Sequence, residues 1–146
     1  MLKIPELRNR AYREILERCV KHLLKDERVV GLILYGSLAR GLEKPFPESD
    51  IDLIVVARNL PKDLFERRRM ATKIKRGESL VEDLWMTPEE LIDGVRGGWG
   101  VVLDALEDGI VIYDRLGVIS EAKRLLRSRF KRIGRIWVLN RSSPVV

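Results

Sequence analysis

The stretch that decides the fold, residues 29–56, reads VVGLILYGSLARGLEKPFPESDIDLIVV. Two apolar runs of the kind found in buried strands, 29–35 and 50–56, flank a more polar segment. That segment begins with Gly36-Ser37 and later contains two prolines, so only its first turn can be helical. The stretch therefore predicts a strand, a short helical turn, a loop and a second strand.

Outward from this stretch, apolar spacing predicts alternating helices and strands. Apolar residues three and four positions apart favour amphipathic helices, and short β-branched runs favour strands. The predicted elements are a helix over 5–25, a helix over 61–76, a strand over 79–86, two helical stretches between a Thr87 capping box and Gly109, a strand over 110–113 and a last helix over about 118–133. The tail from 136 receives no predicted element.

This alternation, without an internal repeat, predicts an α/β (α+β) fold with a short mixed β-sheet flanked by helices, mainly on one face. We expect a single domain over 1–146. Its core is predicted to span about 5–115, followed by a C-terminal helix and tail over about 116–146.

The composition excludes several classes of protein. With 45% apolar and 34% charged residues, the chain can bury a core and is not disordered. No apolar run approaches the ~18 residues of a membrane span, and the start lacks a signal-peptide stretch, so we expect a cytoplasmic protein without membrane contact. Cys19 and His22 are the only cysteine and histidine, which excludes an internal disulfide and Cys/His metal clusters.

The charge balance favours anionic partners. Lysine and arginine number 28 against 22 aspartates and glutamates, a net charge of +6. Basic faces over 67–76 and 123–135 could contact nucleic acid, but without interleaved aromatic residues we interpret them as solvated surfaces. The absence of glutamine in so highly charged a chain is typical of a thermophile protein.

Chemistry is predicted where the two strands of the opening stretch meet. Gly36 and Ser37 follow a strand and can present backbone N–H groups and a hydroxyl to phosphate oxygens. Asp50 and Asp52 are two positions apart on a strand, so both carboxylates project from one face. Such a pair would repel without a cation and is suited to Mg²⁺ bound together with substrate phosphates. The alternative interpretation is a turn followed by a solvated strand edge.

The segments Gly36-Ser37-Leu38-Ala39-Arg40-Gly41 and Ser49-Asp50-Ile51-Asp52-Leu53 resemble the signature of the DNA polymerase β-like nucleotidyltransferase superfamily. The resemblance is greatest to the small minimal nucleotidyltransferases. Twelve residues separate Ser37 from Asp50, where about ten are usual, so the loop is enlarged. The large helical domains of polymerases and tRNA-tailing enzymes are also missing from this chain.

The resemblance implies an enzyme that binds ATP at Gly36, Ser37 and Arg40, with Mg²⁺, in a two-metal site, bridging the triphosphate to Asp50 and Asp52. Family members carry a third carboxylate on a neighbouring strand, as general base or further metal ligand. Glu82 and Asp83 are adjacent and point to opposite faces, so only one can serve. We favour Asp83 as the third catalytic and metal-binding carboxylate, because apolar residues follow it, and Glu82 stays open.

The predicted reaction moves a nucleoside monophosphate, AMP from ATP, to an acceptor hydroxyl. Minimal nucleotidyltransferases are often antitoxins that modify a HEPN-family toxin, so the resemblance implies a toxin–antitoxin system with such a partner. Two alternatives remain: a non-catalytic nucleotide- or partner-binding module with a vestigial site, and a transferase acting on RNA or a small molecule such as an aminoglycoside. The sequence does not predict the oligomeric state.

Overall fold

A computed structural model describes residues 2–140, and within them six helices and six strands follow one another. They are α1 (Arg10–Leu24), β1 (Val29–Tyr35), α2 (Gly36–Ala39), β2 (Ile51–Ala57), α3 (Leu64–Ile74), β3 (Val81–Met86), α4 (Pro88–Arg96), α5 (Gly100–Asp108), β4 (Ile110–Asp114), α6 (Val118–Arg129), β5 (Phe130–Ile133) and β6 (Ile136–Leu139). Among these residues, none of the helices has both the length and the apolar character needed to cross a membrane.

Four strands form a mixed sheet in the order β3-β2-β1-β4. The central strand β1 pairs antiparallel with β2 and β4, and β2 pairs parallel with β3. This arrangement confirms the predicted short mixed sheet flanked by helices. It also brings the end of β1, the start of β2 and the start of β3 to one edge.

Helices cover both faces of the sheet, so the expectation of helices mainly on one face is wrong. On one face, α1 and α3 pack against residues such as Leu34 and Leu53. On the other, α4, α5 and α6 pack against residues such as Ile33 and Ile54. The physical reason is that β1 and β2 are apolar at nearly every position and must be covered on both sides.

Two helices begin later than the sequence predicts, because a capping residue sets their start. The Asn9 side chain accepts a hydrogen bond from the backbone N–H of Ala11, so α1 begins at Arg10 and not at residue 5. Asp63 caps α3 in the same way, so this helix begins at Leu64 and not at Pro61. The capping box predicted at Thr87 is confirmed.

The last predicted helix ends early and is followed by a hairpin. The helix α6 stops at Arg129, and β5 and β6 pair antiparallel over residues that we expected to be helical or left unassigned. The apolar residues Phe130 and Ile133 fit a helical spacing, but Gly134 adopts a positive φ of 61° and lets the chain reverse. Residues 141–146, for which no element was predicted, lie outside the described range.

Candidate active site

Gly36 is required by two features at the end of β1. Its φ is +73°, a conformation that other residues rarely adopt, and a Cβ atom there would collide with Oδ2 of Asp52. The close approach arises because Tyr35 and Asp52 are register partners across β1 and β2. The backbone turn of α2 and the Asp52 carboxylate are therefore in direct contact.

The turn leaves polar groups available to a ligand. No side chain caps α2, and the hydroxyl of Ser37 has no hydrogen-bond partner within residues 2–140. The backbone carbonyl of Ser37 accepts a hydrogen bond from the N–H of Leu42 at 2.8 Å, which closes the turn. Uncapped N–H groups and a hydroxyl are donors suited to phosphate oxygens.

Tyr12 braces the enlarged loop over 42–49, a role that the sequence did not reveal. Its hydroxyl donates to the carbonyl of Lys44 and accepts from the N–H of Ser49, both at 3.0 Å. Its ring meets Phe46 edge-on with centroids 5.1 Å apart. Tyr12 belongs to α1, and its side chain is fully buried. The loop that leads into Asp50 is thus anchored on the core, which fixes where β2 begins.

Asp52 lies among other carboxylates on the face of the sheet that α5 covers. Glu82 on β3 is its register partner, and in neighbouring strands register partners project to the same side. Asp50, exposed just before β2, lies close enough to act on it electrostatically. Partial burial first, and then the negative charges of Glu82 and Asp50, raise the pKa of Asp52 to about 6.

Asp83, which the sequence analysis favoured over Glu82, lies on the opposite face of the sheet from Asp52. It is the register partner of Leu53, which points into the core beneath α1 and α3. Successive strand residues alternate between faces, and Asp52 is the neighbour of Leu53. The structure therefore groups Glu82, and not Asp83, with Asp50 and Asp52.

The Asp83 carboxylate accepts hydrogen bonds from two cationic side chains and from an indole N–H. The donors are Lys75 Nζ at 2.8 Å, Arg68 Nη1 at 3.1 Å and Trp85 Nε1 at 2.6 Å. Burial alone would raise the pKa of Asp83, but these bonds outweigh burial and the pKa is lowered. The side chain is only 2% exposed. Asp83 thus joins α3 to β3 and has no free oxygen directed at a ligand.

The donor set suits a metal that is shared with a substrate. Within residues 2–140 no cluster of three or more acidic, cysteine or histidine side chains is compact enough to form a metal site by itself. Mg²⁺ is commonly bound by one or two carboxylates together with substrate phosphates rather than by an all-protein cage. Asp50 and Asp52, with Glu82 beside them, fit that description.

A cavity of about 180 Å³ lies between α2 and α5, beside Gly36. Its apolar wall includes Val101 and Ala105 of α5, and the predicted residue Arg40 lies on its rim. Arg40 is exposed and forms no ion pair with any residue of the described range. The remaining lining residues are Tyr35, Asp104, Asp108 and Arg135.

Sequence reasoning missed the part of this cavity that the C-terminal hairpin supplies. Arg135 lies in the turn between β5 and β6, and the predicted helix over 118–133 concealed that turn. The signal that could have revealed it was Gly134 between two β-rich tetrads, 130–133 and 136–139.

Comparison with known proteins agrees with the fold and the motif. The profile of the nucleotidyltransferase domain family matches residues 13–112, more than half of the chain. A Methanocaldococcus jannaschii protein, provisionally named a protein adenylyltransferase, is 38% identical over 61 residues. That match covers 42% of this chain and 39% of the relative, so the chain spans about two fifths of the relative's length.

Two solved structures share the fold. A chain of a toxin–antitoxin complex with AMP-PNP is 18% identical, with a TM-score of 0.52, over 77% of this chain and 83% of that one. A chain of a substituted form of the toxin–antitoxin pair MntA–HpeT is 16% identical, again with a TM-score of 0.52 and the same coverage. The family match and the arrangement around Gly36 and Asp52 lead to one conclusion: this chain belongs to the nucleotidyltransferase domain family.

Proposed function

We propose that the chain, as one domain over 1–146, transfers AMP from ATP to an acceptor hydroxyl. The observation that carries the proposal is the contact between the Gly36 turn and Asp52, on a face that also holds Glu82. A phosphate chain on the turn would thus lie directly beside carboxylates able to share a cation with it. A cation at this place would offset the burial and the charges of Glu82 and Asp50 that raise the pKa of Asp52.

Each group has a role in this proposal. The backbone N–H groups at Gly36 and Ser37, with the Ser37 hydroxyl, hold phosphate oxygens, and Arg40 adds a cation at the cavity rim. Asp50 and Asp52 hold Mg²⁺, which when bound neutralises the charge of the phosphates and of the pyrophosphate leaving group.

Glu82 is proposed as the proton acceptor. It is exposed, lies beside Asp52, and its carboxylate oxygen takes the proton of the acceptor hydroxyl. The acceptor oxygen then forms a bond to the α-phosphorus, and the bond from that phosphorus to the bridging oxygen breaks. Pyrophosphate leaves with the electron pair, so that charge and atoms balance.

The acceptor is proposed to be a hydroxyl of a partner protein, a HEPN-family toxin. Support comes from the relative named as a protein adenylyltransferase and from the toxin–antitoxin origin of the structural neighbours. ATP labelled on its α-phosphate would be incubated with the chain, Mg²⁺ and three acceptors separately: a HEPN-family protein, RNA and an aminoglycoside. Label on the protein is expected. Label on RNA or on the aminoglycoside would show that this molecule, and not a partner protein, is the acceptor. No transfer despite ATP binding would favour a non-catalytic module.

Two glycines provide a matched pair of variants for this assay. Gly36 and Gly77 have φ values of +73° and +69°, so alanine introduces similar backbone strain at either, about 1–2 kcal/mol. Only at Gly36 does the new Cβ displace Asp52, because nothing lies within 4 Å of the corresponding position at Gly77. We expect Gly36→Ala to abolish transfer and Gly77→Ala to retain it. Equal retention by both would contradict the proposed site.

A further inference from the structure

The β5–β6 hairpin is fixed against α5 by polar contacts. Arg132 makes two hydrogen bonds to the Asp108 carboxylate, at 2.7 and 2.8 Å. Trp137 Nε1 donates to Asp104 at 2.8 Å, and the Arg132 guanidinium lies 5.3 Å from the centroid of the Trp137 ring. A two-stranded hairpin is marginal by itself, so these contacts determine where its tip lies.

The tip carries Arg135 to the cavity beside Gly36. Arg135 follows Gly134 in the turn and lines that cavity, as Gly36 and Arg40 do. Its Nη1 donates to Asp108 Oδ2 at 3.0 Å, and its side chain is 52% exposed. A guanidinium has five N–H donors, so most of those of Arg135 are unused within the described part of the chain.

Arg132 and Arg135 share Asp108 but are used differently. Arg132 binds Asp108 with both terminal nitrogens and is 19% exposed. Arg135 makes a single hydrogen bond, to Oδ2 of the same carboxylate, and its half-exposed side chain lines the cavity. Hydrogen bonds from Arg132 lower the pKa of Asp108 to about 2, so Asp108 stays ionised and orients both arginines at neutral pH.

We infer that Arg135 binds the terminal phosphates of the nucleoside triphosphate in the cavity that it lines together with Gly36, with Asp108 as its positioning residue. The inference rests on the proposed function, and adds to it a residue from the C-terminal hairpin. Arginine is suited to this task because its planar fork matches phosphate oxygens and forms charge-assisted hydrogen bonds. Arg40, which lines the same cavity, would supply a second cation.

The test compares ATP with AMP, because AMP lacks the phosphates that Arg135 is assigned to bind. Calorimetric titration with Mg²⁺ gives the dissociation constant of each nucleotide for wild type and for Arg135→Ala. We expect ATP binding to weaken about tenfold, equivalent to about 1.4 kcal/mol, and AMP binding to remain within about twofold. Arg135→Lys, which keeps the charge but not the fork, is expected to fall between wild type and Arg135→Ala.

Lys131 is the matched control. It is an exposed cation on β5 of the same hairpin and does not line the cavity, so Lys131→Ala should leave both affinities unchanged. Equal weakening of ATP and AMP by Arg135→Ala would show a merely structural role and overturn the assignment, as would no weakening at all. If wild type binds neither nucleotide, the proposed function fails. If wild type binds ATP and Arg135→Ala does not weaken that binding selectively, only the assignment of Arg135 fails.

Discussion

Glu82 and Asp83 are adjacent in the chain and lie in opposite electrostatic surroundings. Asp83 is buried and accepts hydrogen bonds from Lys75, Arg68 and Trp85, which lower its pKa. Glu82 is exposed on the other face, and its charge contributes to raising the pKa of Asp52 to about 6. One face of β3 thus holds an ionised carboxylate, Asp83, whose charge is balanced by Lys75 and Arg68. The other face holds Glu82, which adds negative charge beside Asp52.

The difference separates a structural carboxylate from a functional one. A buried carboxylate with its cations in place joins two elements and needs nothing further. A group of carboxylates whose nearest charges are negative is less stable than the same groups beside a cation, so it favours binding one. For adjacent acidic residues, the sign of the surrounding charges therefore indicates which residue has a structural role and which has a functional one.

The largest expected effect is the loss of stability in Asp83→Asn. Removing the charge leaves Lys75, itself 11% exposed, without its ionic partner, at a cost of about 3 kcal/mol in the free energy of unfolding. Chemical denaturation measures this cost. The control is Asp93→Asn in the exposed pair with Arg96, where about 0–1 kcal/mol is expected. If the two substitutions lowered the free energy of unfolding equally, the proposed structural role of Asp83 would be contradicted.

A second expected effect is the loss of transfer in Glu82→Gln with the fold intact. Glu82 is exposed and has no hydrogen-bond partner within residues 2–140, so the melting temperature should not fall. Loss of the proton acceptor should slow transfer by about 100-fold or more. Single-turnover rates with labelled ATP measure it. An unchanged rate would exclude Glu82 as the general base.

The smallest expected effect is a pH-dependent gain in stability for Asp52→Asn. Because the pKa of Asp52 is raised to about 6 from an ordinary 3.8, the unfolded chain loses this proton first as pH rises. Wild type therefore loses stability between about pH 4 and pH 6, whereas the variant has no such proton. The advantage of Asp52→Asn should grow over that window to about 1 kcal/mol or less, given solvent screening.

Denaturation at pH 4, 5, 6 and 7 without Mg²⁺ would measure this gain. The wild-type curve also contains the opposite contribution of Asp83, whose pKa is lowered, so only the difference between variant and wild type is informative. A difference that stays constant from pH 4 to pH 7 would contradict the proposed surroundings of Asp52.

Much of the sheet could be predicted because its signals are local. The apolar runs of β1 and β2, the glycine at position 36 and the Thr87 capping box depend on residues within a few positions of one another. The family was predicted for the same reason, since its motif lies within residues 36–53. The starts of α1 and α3 were placed too early, because the side chains of Asn9 and Asp63 outweighed apolar spacing.

The rest depends on contacts between distant residues. The choice between Glu82 and Asp83 follows from the register of β3 on β2 and from Lys75 on α3, neither of which the local sequence determines. The hairpin depends on Arg132 and Trp137 finding Asp108 and Asp104 more than twenty positions away. Helical spacing at Phe130 and Ile133 therefore misled the prediction, since these tertiary contacts, together with the turn at Gly134, favour the hairpin.

The central claim is that the face of Asp50, Asp52 and Glu82 binds a cation together with a triphosphate. The most direct test is calorimetric titration of ATP, with and without Mg²⁺, into wild type and Asp52→Asn. The account predicts Mg²⁺-dependent binding by wild type and the loss of that dependence in the variant, which should remain folded. Equal binding by both proteins with and without Mg²⁺, or no binding by wild type under either condition, would contradict it.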